Sequence, residues 1–352
     1  MLQESVDEMK LPIRIAALAN DSVGTLLSRA YTSLEHGSTL AGIIIGTGTN
    51  AAYIENLDNV KRLPKAKAKL QGASIVINTE WGCFDDELQV LPTTKFDRDL
   101  EASSMNPGNQ QLEKRVSGMY LGELMRLVLL HCQSQGVFNM VLNDASPCNH
   151  PHGLDSSFLS LLATNGNVDT PEVVKAIERV LLAQNVTTTD ARIIQKLADG
   201  IAKRSARLVG SALAAIIIQS GRLSHLQAEK QTVQVTSVQT QQHDSRSSKN
   251  RRRGCRLFAR IADYIKKSSA NSTQPTTTAE STLQGEVEED IIDVGIDGSL
   301  IEHYPGFEAY MRSALDDVPE IGIEGEKRVK MGLAKDGSGV GAALMANAAD
   351  SI

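Results

Sequence analysis

The chain has 352 residues, of which 41% are hydrophobic and 22% are charged, and its formal net charge is −6 at pH 7. These values indicate a folded globular protein with room for two domains. The negative charge gives no overall attraction to nucleic acid or to a membrane, so neither is an expected partner. The longest apolar run, residues 208–218, is too short to span a bilayer. The four cysteines lack CxxC spacing, which predicts reduced thiols in a cytosolic protein without a zinc site.

Strand-like and helix-like segments alternate along residues 1 to 225. The stretch "RIAALA" is predicted to be a strand, and "VGTLLSRAY" is predicted to be a helix that follows it after a tight turn. The β-branched runs "LAGIII" and "ASIVIN" are typical of buried strands. Strands that alternate with helices predict an α/β fold.

Three further helices are predicted before residue 225. The segment from Asn109 repeats its apolar residues at close to the helical period of about 3.6, so it predicts one long helix that ends at Gly136. A second helix begins near Pro171. A third begins at a Thr/Asp signal in "TTTDARII" and ends at Gly221.

The composition changes between residues 224 and 288, where Gln, Ser and Thr dominate and core residues are few. Such a segment is predicted to be a disordered insertion. Within it, residues 251–267 form a basic amphipathic stretch, and "KNRRR" resembles a nuclear import signal. The open interpretations are a contact with a membrane surface, a calmodulin-like partner or nucleic acid, a solvated helix in a linker, and translated non-coding sequence.

Glycine-rich turns follow predicted strands at three places. They are "GTGTN" from Gly46, "DGS" from Asp297 and "DGSGVGAA" from Asp336. Small residues at such turns let backbone N–H groups approach an anion, and a helix N-terminus adds a favourable field. Each turn alone is more often structural, but three together, each with a Thr or Ser hydroxyl, favour a nucleotide.

Carboxylates and amides stand at the ends of predicted strands and at the start of the long helix. They are Asn20, Asp21, Asn50, Glu80, Gln110 and Glu113. Ligands of open α/β sheets bind beyond the strand ends, and a polyhydroxylated ligand needs side chains of this kind. Singly, each is more often a cap or turn residue, so the pattern by itself predicts only a small-molecule site.

Longer motifs carry a resemblance to a known family. Five motifs closely resemble the hexokinase family, and within it they resemble fungal glucokinases and hexokinases most. They are "ALANDSVGTLL", "IIGTGTNAAYIE", "INTEWGCFD", "NPGNQQLEKRVSGMYLGELMR" and "VGIDGSLIEHYPGF". The resemblance implies an actin-like ATPase fold, related to ribonuclease H, with sugar and ATP between two lobes. It also implies ATP-dependent phosphorylation of a hexose, with glucose favoured, at its 6-hydroxyl.

The resemblance implies a role for each motif residue. Asp21 is the implied catalytic base that takes the proton of the 6-hydroxyl. The implied sugar ligands are Asn20, Asp21, Asn50, Glu80, Gln110 and Glu113. The implied ATP-binding residues are Gly46, Thr47, Gly48, Thr49, Asp297, Gly298, Ser299, Gly337, Ser338 and Gly339. Mg²⁺ enters with ATP as part of the substrate and has no direct protein ligand, and no tightly bound cofactor is expected.

The same resemblance divides the chain into five predicted segments. They are 1–25, the remnant of the small lobe with the hinge; 26–223, the first part of the large lobe; 224–288, the insertion; 289–330, the adenosine-binding part of the large lobe; and 331–352, the glycine-rich loop with the last helix. We expect a cytoplasmic protein, with nuclear or mitochondrial-surface association as the alternatives.

Two motifs of the family are absent from the sequence. They are a first phosphate loop, an acidic residue followed by Gly-Gly-Thr-Asn, and a small-lobe segment that contacts the sugar. Only nineteen residues precede the Asn20–Asp21 pair, so a fold incomplete at its N-terminus is expected. Three hypotheses follow: a hexose kinase, a non-catalytic sugar-sensing or regulatory relative, and a chain whose true start lies upstream and whose insertion is an unspliced intron. Because several phosphate donors would be missing, little catalysis is expected of the chain alone.

Overall fold

The computed structural model describes residues 2–33, 39–61, 73–164, 171–223 and 291–349. Its α-helices are α1 (Leu2–Glu8), α2 (Asp21–Thr32), α3 (Lys95–Ser103), α4 (Glu113–Val116), α5 (Gly118–Ser134), α6 (Ser157–Thr164), α7 (Pro171–Leu181), α8 (Thr188–Ser220), α9 (Ser299–His303), α10 (Phe307–Asp316), α11 (Gly322–Glu326) and α12 (Gly337–Ala349). Its strands are β1 (Thr39–Ile45), β2 (Thr49–Asn56), β3 (Ser74–Asn78), β4 (Val141–Leu142), β5 (Ala183–Gln184), β6 (Ile292–Asp297) and β7 (Val329–Leu333).

The predicted insertion 224–288, with the basic stretch 251–267, lies outside the described residues. Two predicted segment boundaries, at residues 25 and 330, fall inside α2 and β7 respectively. The division into lobes remains a prediction.

The main sheet has five strands in the order β3-β2-β1-β6-β7. Strand β2 is antiparallel to both β1 and β3, whereas β6 runs parallel to both β1 and β7. The apolar runs of β1 and β6 are buried almost throughout, as expected for central strands covered on both faces. This mixed sheet with helices on its faces confirms the predicted α/β fold.

Helix α2 lies directly on one face of the sheet, and α12 packs against α2. Glycines allow these close approaches. A Cβ atom at Gly42 would lie 2.3 Å from the backbone nitrogen of Leu26, and one at Gly341 would lie 2.2 Å from the Cα of Gly24. Since real Cβ atoms do not come so near to backbone, α2 is in backbone contact with both the sheet and α12.

The predicted helices α7 and α8 are confirmed, together with their end signals. Pro171 is the first residue of α7. Thr187 caps α8 in a capping box with Asp190, and Gly221 ends it with a φ of 70°. Helix α10 packs along α8 in the core on the other side of the sheet.

The predicted strand "RIAALA", residues 14–19, is wrong. This segment has no regular structure, and the side chain of Leu18 is 77% exposed. A strand needs the backbone groups of a partner, and among the described residues no strand pairs with this segment. The helix predicted after it is confirmed as α2, which begins at Asp21.

The single long helix predicted from Asn109 to Gly136 is also wrong, because Ser117 interrupts it with φ −79° and ψ 152°. The interruption turns the next two backbone N–H groups outward. Gly118 N–H donates to Gly46 O at 2.8 Å, and Met119 N–H donates to Thr47 O at 3.3 Å. A helical period cannot reveal a break that is stabilised by a turn distant in the sequence.

Two smaller predictions need correction. The third glycine-rich turn is mostly helix, since α12 begins at Gly337, and only residues 334–336 connect it to β7. Strand β3 is a half-exposed edge strand rather than a buried one, because no strand pairs with its outer side within the described residues.

Candidate active site

The N-terminus of α2 presents two of the predicted site residues. Asn20 is the N-cap, and its Oδ1 accepts hydrogen bonds from the backbone N–H of Ser22 at 3.0 Å and from the Ser22 hydroxyl at 2.7 Å. Asp21 is the first helical residue, its carboxylate accepts the Ser22 N–H at 2.9 Å, and its side chain is exposed. The favourable field of a helix N-terminus therefore acts on a carboxylate that is open to solvent.

Polar side chains from β2 and from the turn after β3 contact Asn20, and one from β3 joins the group through them. Asn50 Nδ2 lies 3.2 Å from Asn20 Oδ1, 2.8 Å from Asn78 Oδ1 and 3.3 Å from Glu80 Oε1. Asn78 Nδ2 donates to Glu80 Oε1 at 2.7 Å. We call Asn20, Asn50, Asn78 and Glu80 the amide–carboxylate cluster.

The backbone around Glu80 is held in an uncommon conformation. Glu80 has φ 49° and ψ 40°, a left-handed geometry that non-glycine residues adopt only when their surroundings stabilise it. On one side, Thr79 N–H donates to Ala51 O at 2.9 Å. On the other side, Trp81 is buried and its indole N–H donates to Thr49 Oγ1 at 3.0 Å. The turn after β3 is therefore tied to β2, which directs Glu80 into the cluster.

Glu113 and Gln110 form a second group beside the first. Glu113 Oε2 accepts the backbone N–H of Thr49 at 3.0 Å, and it lies 2.9 Å from where a Cβ atom at Gly48 would stand. Gln110 has φ 57°, and its side-chain oxygen accepts a hydrogen bond from Asn106. These two residues contact the glycine turn and the loop before α4, and no direct hydrogen bond joins them to the amide–carboxylate cluster in the described residues.

The first two glycine-rich turns lie against each other. The turn from Gly46 to Gly48 joins β1 to β2 and is closed by Gly46 N–H donating to Gly48 O at 3.0 Å. Gly298, with φ 120°, packs so closely that a Cβ atom there would lie 2.4 Å from Ile45 O and 2.8 Å from Gly46 N. The parallel pairing of β1 with β6 places both turns at the same edge of the sheet.

A cavity of about 600 Å³ opens beside these two turns. Thr47 and Ser299 line it, together with residues 152–157 and Ser160. Its volume is within the usual range of small-ligand pockets.

A buried ion pair holds one wall of this cavity. Glu123 and Arg126 pair at 2.6 Å, and Glu123 Oε2 also accepts the backbone N–H of His152 at 2.7 Å. Arg126 donates to Cys148 O at 2.9 Å. Burial raises the pKa of Glu123, but the hydrogen bonds from Arg126 and His152 outweigh it and lower that pKa below its ordinary value. The carboxylate is thus charged at neutral pH and anchors the loop that carries His152.

The residues Gly337, Ser338 and Gly339 are placed differently from the other predicted nucleotide residues. Gly337 N–H donates to Asp297 Oδ2 at 3.1 Å, which ties the start of α12 to the second turn. Ser338 and Gly339, however, line a separate cavity of about 300 Å³ together with Asn20 and Asp21. They do not line the 600 Å³ cavity.

Two members of the site were missed from the sequence. Asn78 was included only as the end of a predicted strand and in the motif "INTEWGCFD", and Ser22 only in the motif "ALANDSVGTLL", with no role given to either. A polar residue that ends a β-branched run, two positions before Glu80, is a signal that could have identified Asn78. Nothing local distinguishes the Ser22 hydroxyl from an ordinary capping group.

Cys83, two residues beyond Trp81, gives a test of the electrostatics of this region. Its pKa is raised above the ordinary value by burial, then by the negative charge of Asp86, with smaller effects from Glu80 and Glu113. We expect alkylation of this thiol by iodoacetamide to be slower at pH 7 than that of a free cysteine and to accelerate as the pH rises, because only the thiolate reacts.

Mass spectrometry of the labelled peptide at several pH values measures that rate, with Cys83→Ser identifying the site. The variant Asp86→Asn is expected to react faster at pH 7 because it removes one of the charges that raise the pKa. A Cys83 rate equal to that of a free thiol, or one unchanged in Asp86→Asn, would contradict this electrostatic picture.

Within the described ranges, no group of three or more His, Cys, Asp or Glu side chains is arranged to hold a metal ion. Cys83, Cys132 and Cys148 are free thiols. None of the helices described is both long and apolar enough to cross a membrane.

Comparison with known proteins decides the family. A family model described as hexokinase matches residues 40–244 and 222–348, and a second hexokinase model matches residues 1–31. The chain belongs to the hexokinase family. It is 36% identical to a glucokinase of Aspergillus niger and 34% identical to glucokinase-1 of Saccharomyces cerevisiae, over 98% of this chain in both cases.

A solved structure supports the same assignment. The hexokinase of Schistosoma mansoni, complexed with glucose, matches with a TM-score of 0.67 and 26% identity over 99% of this chain. The chain spans 60% of the length of both glucokinases and 61% of that structure's chain. The predicted hexokinase fold is therefore confirmed for the part of the relatives' length that this chain covers.

Proposed function

We propose that this hexokinase-family chain carries the hexose- and ATP-binding face of an enzyme that phosphorylates a hexose, with glucose as the favoured substrate, at its 6-hydroxyl. The observation that carries the proposal is the amide–carboxylate cluster beside the exposed carboxylate of Asp21. Amide and carboxylate groups supply paired donors and acceptors for neighbouring sugar hydroxyls. The similarity to glucokinases supports glucose as the hexose.

Asp21 is the proposed general base of the reaction. Phosphoryl transfer requires mainly that the attacking hydroxyl be oriented and that charge on the phosphates be compensated. The proposal is supported by the exposure of this carboxylate at the start of α2, adjacent to Asn20, where it would accept the proton of a hydroxyl held by the cluster. Glu113 and Gln110 are proposed to bind further sugar hydroxyls from the side of the Gly46–Thr49 turn.

ATP, carrying Mg²⁺ as part of the substrate, is proposed to bind at the two adjacent glycine turns. Gly46, Thr47, Gly48 and Thr49 would face the phosphates, and Asp297, Gly298 and Ser299 would face the nucleoside. Of these residues, Thr47 and Ser299 line the 600 Å³ cavity. Ser338 and Gly339 are proposed to act from the Asp21 side, because they share the smaller cavity with that residue. Gly337, whose N–H donates to Asp297, is proposed to join them to the second turn. We further propose that the reaction takes place in the cytosol.

A coupled assay with glucose and MgATP tests the function of the purified chain. Glucose 6-phosphate is expected to form at a rate that depends on both substrates. A rate equal to that of buffer, with no binding of glucose or ATP by calorimetry, would remove the proposal.

Glu80→Gln tests the sugar site. A hydrogen bond that involves a charged group contributes about 1.5–3 kcal/mol, so glucose affinity is expected to fall by about tenfold to a hundredfold. ATP affinity is expected to stay unchanged. Glu172→Gln, at an exposed position on α7, is the matched control and is expected to change neither. Equal glucose affinities in the two variants would exclude Glu80 as a sugar ligand.

A further inference from the structure

An arginine and an aspartate join the distal end of α2 to the centre of the sheet. Arg29 Nε lies 3.1 and 3.0 Å from the two carboxylate oxygens of Asp293 on β6, and Arg29 Nη2 also donates to Asp293 Oδ1. The Asp293 side chain is fully buried, and that of Arg29 is 13% exposed. This bidentate geometry fixes direction as well as distance.

The remaining acceptor capacity of Asp293 is used by the strand next to it. Thr39 Oγ1, at the first residue of β1, donates to Asp293 Oδ2 at 2.7 Å. The Thr39 hydroxyl also lies 3.0 Å from Ser33 Oγ, at the C-terminal end of α2. The ion pair is therefore part of a buried network that joins α2, β1 and β6.

The sheet has room for the arginine only because two glycines lie beneath it. A Cβ atom at Gly295 would lie 2.5 Å from Arg29 Cβ, and one at Gly332 would lie 2.3 Å from Arg29 Cζ. Gly295 on β6 and Gly332 on β7 are direct partners in the ladder. The arginine side chain thus crosses two neighbouring strands over paired glycines, and this fixes its position on the sheet.

Helix α2 also packs on the sheet and on α12 through buried side chains such as Leu26 and through close backbone contacts at Gly24 and Gly42, which set its distance from both. Such contacts set direction less strictly than a bidentate ion pair does. Asp21 stands eight residues before Arg29, which is about 12 Å along a helix. A small rotation at Arg29 therefore displaces Asn20 and Asp21 relative to Asn50 and Glu80.

We infer that Arg29, through Asp293, is a positioning residue that sets the orientation of α2 and thereby places Asn20 and Asp21 in the hexose site. This inference rests on the proposed function. A buried ion pair is often no more stabilising than apolar residues of the same size. Orientation, rather than stability, is therefore the property that the pair supplies.

The test compares Arg29→Lys, which keeps the charge but loses the bidentate geometry, with Arg312→Lys. Arg312 is a matched control, since it also joins a helix to a strand by donating to Glu308, Glu326 and the carbonyl of Val329, and it lies outside the proposed site. Glucose affinity, ATP affinity, turnover and thermal unfolding are measured for each. Arg29→Lys is expected to lower glucose affinity and turnover by about tenfold or more and to leave ATP affinity unchanged. Arg312→Lys is expected to leave glucose affinity, ATP affinity and turnover unchanged.

The double variant Arg29→Met/Asp293→Leu separates positioning from stability. It is expected to unfold near the wild-type temperature and still to bind glucose weakly. Wild-type glucose affinity and turnover in this variant, or equal effects of Arg29→Lys and Arg312→Lys, would overturn the inference. If the double variant does not fold, the comparison of the two lysine variants decides.

Hydrogen exchange gives a readout that does not depend on ligand. Backbone amides of residues 24–28 are expected to exchange faster in Arg29→Lys than in wild type or in Arg312→Lys. A wild-type chain that binds no hexose would remove the proposed function, and the exchange result would still decide the positioning of α2. Unchanged exchange in Arg29→Lys would overturn the inference in that case.

Discussion

Asp21→Asn is expected to lower the rate of glucose phosphorylation by about 10²- to 10⁴-fold, the usual contribution of a general base. The amide keeps the size of the side chain and an oxygen that can accept the Ser22 N–H, so α2 retains its start. Only the capacity to take the proton of the sugar hydroxyl is lost. Steady-state kinetics with glucose and MgATP, together with calorimetric glucose binding, measure the two effects separately.

The matched control for this change is Asp58→Asn, at an exposed position after β2 and outside the proposed site. It is expected to keep the wild-type rate. Glucose affinity is expected to change little in Asp21→Asn, because the cluster of Asn20, Asn50, Asn78 and Glu80 is intact. Turnover of Asp21→Asn equal to that of Asp58→Asn would show that Asp21 is not the base.

Gly341→Ala is expected to cause a large loss of stability. Its Cβ atom would stand 2.2 Å from both the Cα and the carbonyl oxygen of Gly24. Backbone cannot move aside as a flexible side chain can, so α12 and α2 must separate. Overpacking of this kind costs about 1–3 kcal/mol, and occasionally more. Urea unfolding measures the change, and glucose affinity is expected to fall as well because α2 carries Asn20 and Asp21.

Gly200→Ala provides the opposite expectation. Gly200 is an exposed residue inside α8, and a Cβ atom there would meet nothing within 4 Å. Alanine is expected to stabilise the chain by about 0.5–1 kcal/mol, because glycine loses more backbone entropy in a helix. A free energy of unfolding that does not fall in Gly341→Ala, or one that falls equally in both variants, would exclude the close contact between α2 and α12.

Local sequence signals were sufficient to predict an element whose ends depend only on residues nearby in the chain. The cap of α8 at Thr187 and its end at Gly221 were readable because capping involves residues within one turn. The helix that begins at Asp21 was readable for the same reason. In the site, the polar residues Asn20, Asn50 and Glu80 were found from their place after apolar runs, and the structure brings these three together. Their roles in binding sugar remain predictions.

Tertiary contacts decided the elements that were predicted wrongly. The break at Ser117 depends on the carbonyl groups of Gly46 and Thr47, some seventy positions earlier in the chain. The stretch at 14–19 has the composition of a strand, but it needs a partner to form one. The glycines after Asp336 were attributed to a loop, whereas Gly341 serves the contact of one helix with another.

The sequence by itself determined the hexokinase-family assignment, the α/β class and most of the residues that converge on the proposed hexose site, because these are carried by motifs and by patterns within single elements. Only the tertiary structure decided how those residues meet: Asn78 joining the cluster, Ser338 and Gly339 lining the Asp21 cavity, and Arg29 paired with Asp293 over two glycines. The physical reason is that each of these contacts joins residues far apart in the chain. Their geometry depends on how the sheet and α2 pack, which no local pattern encodes.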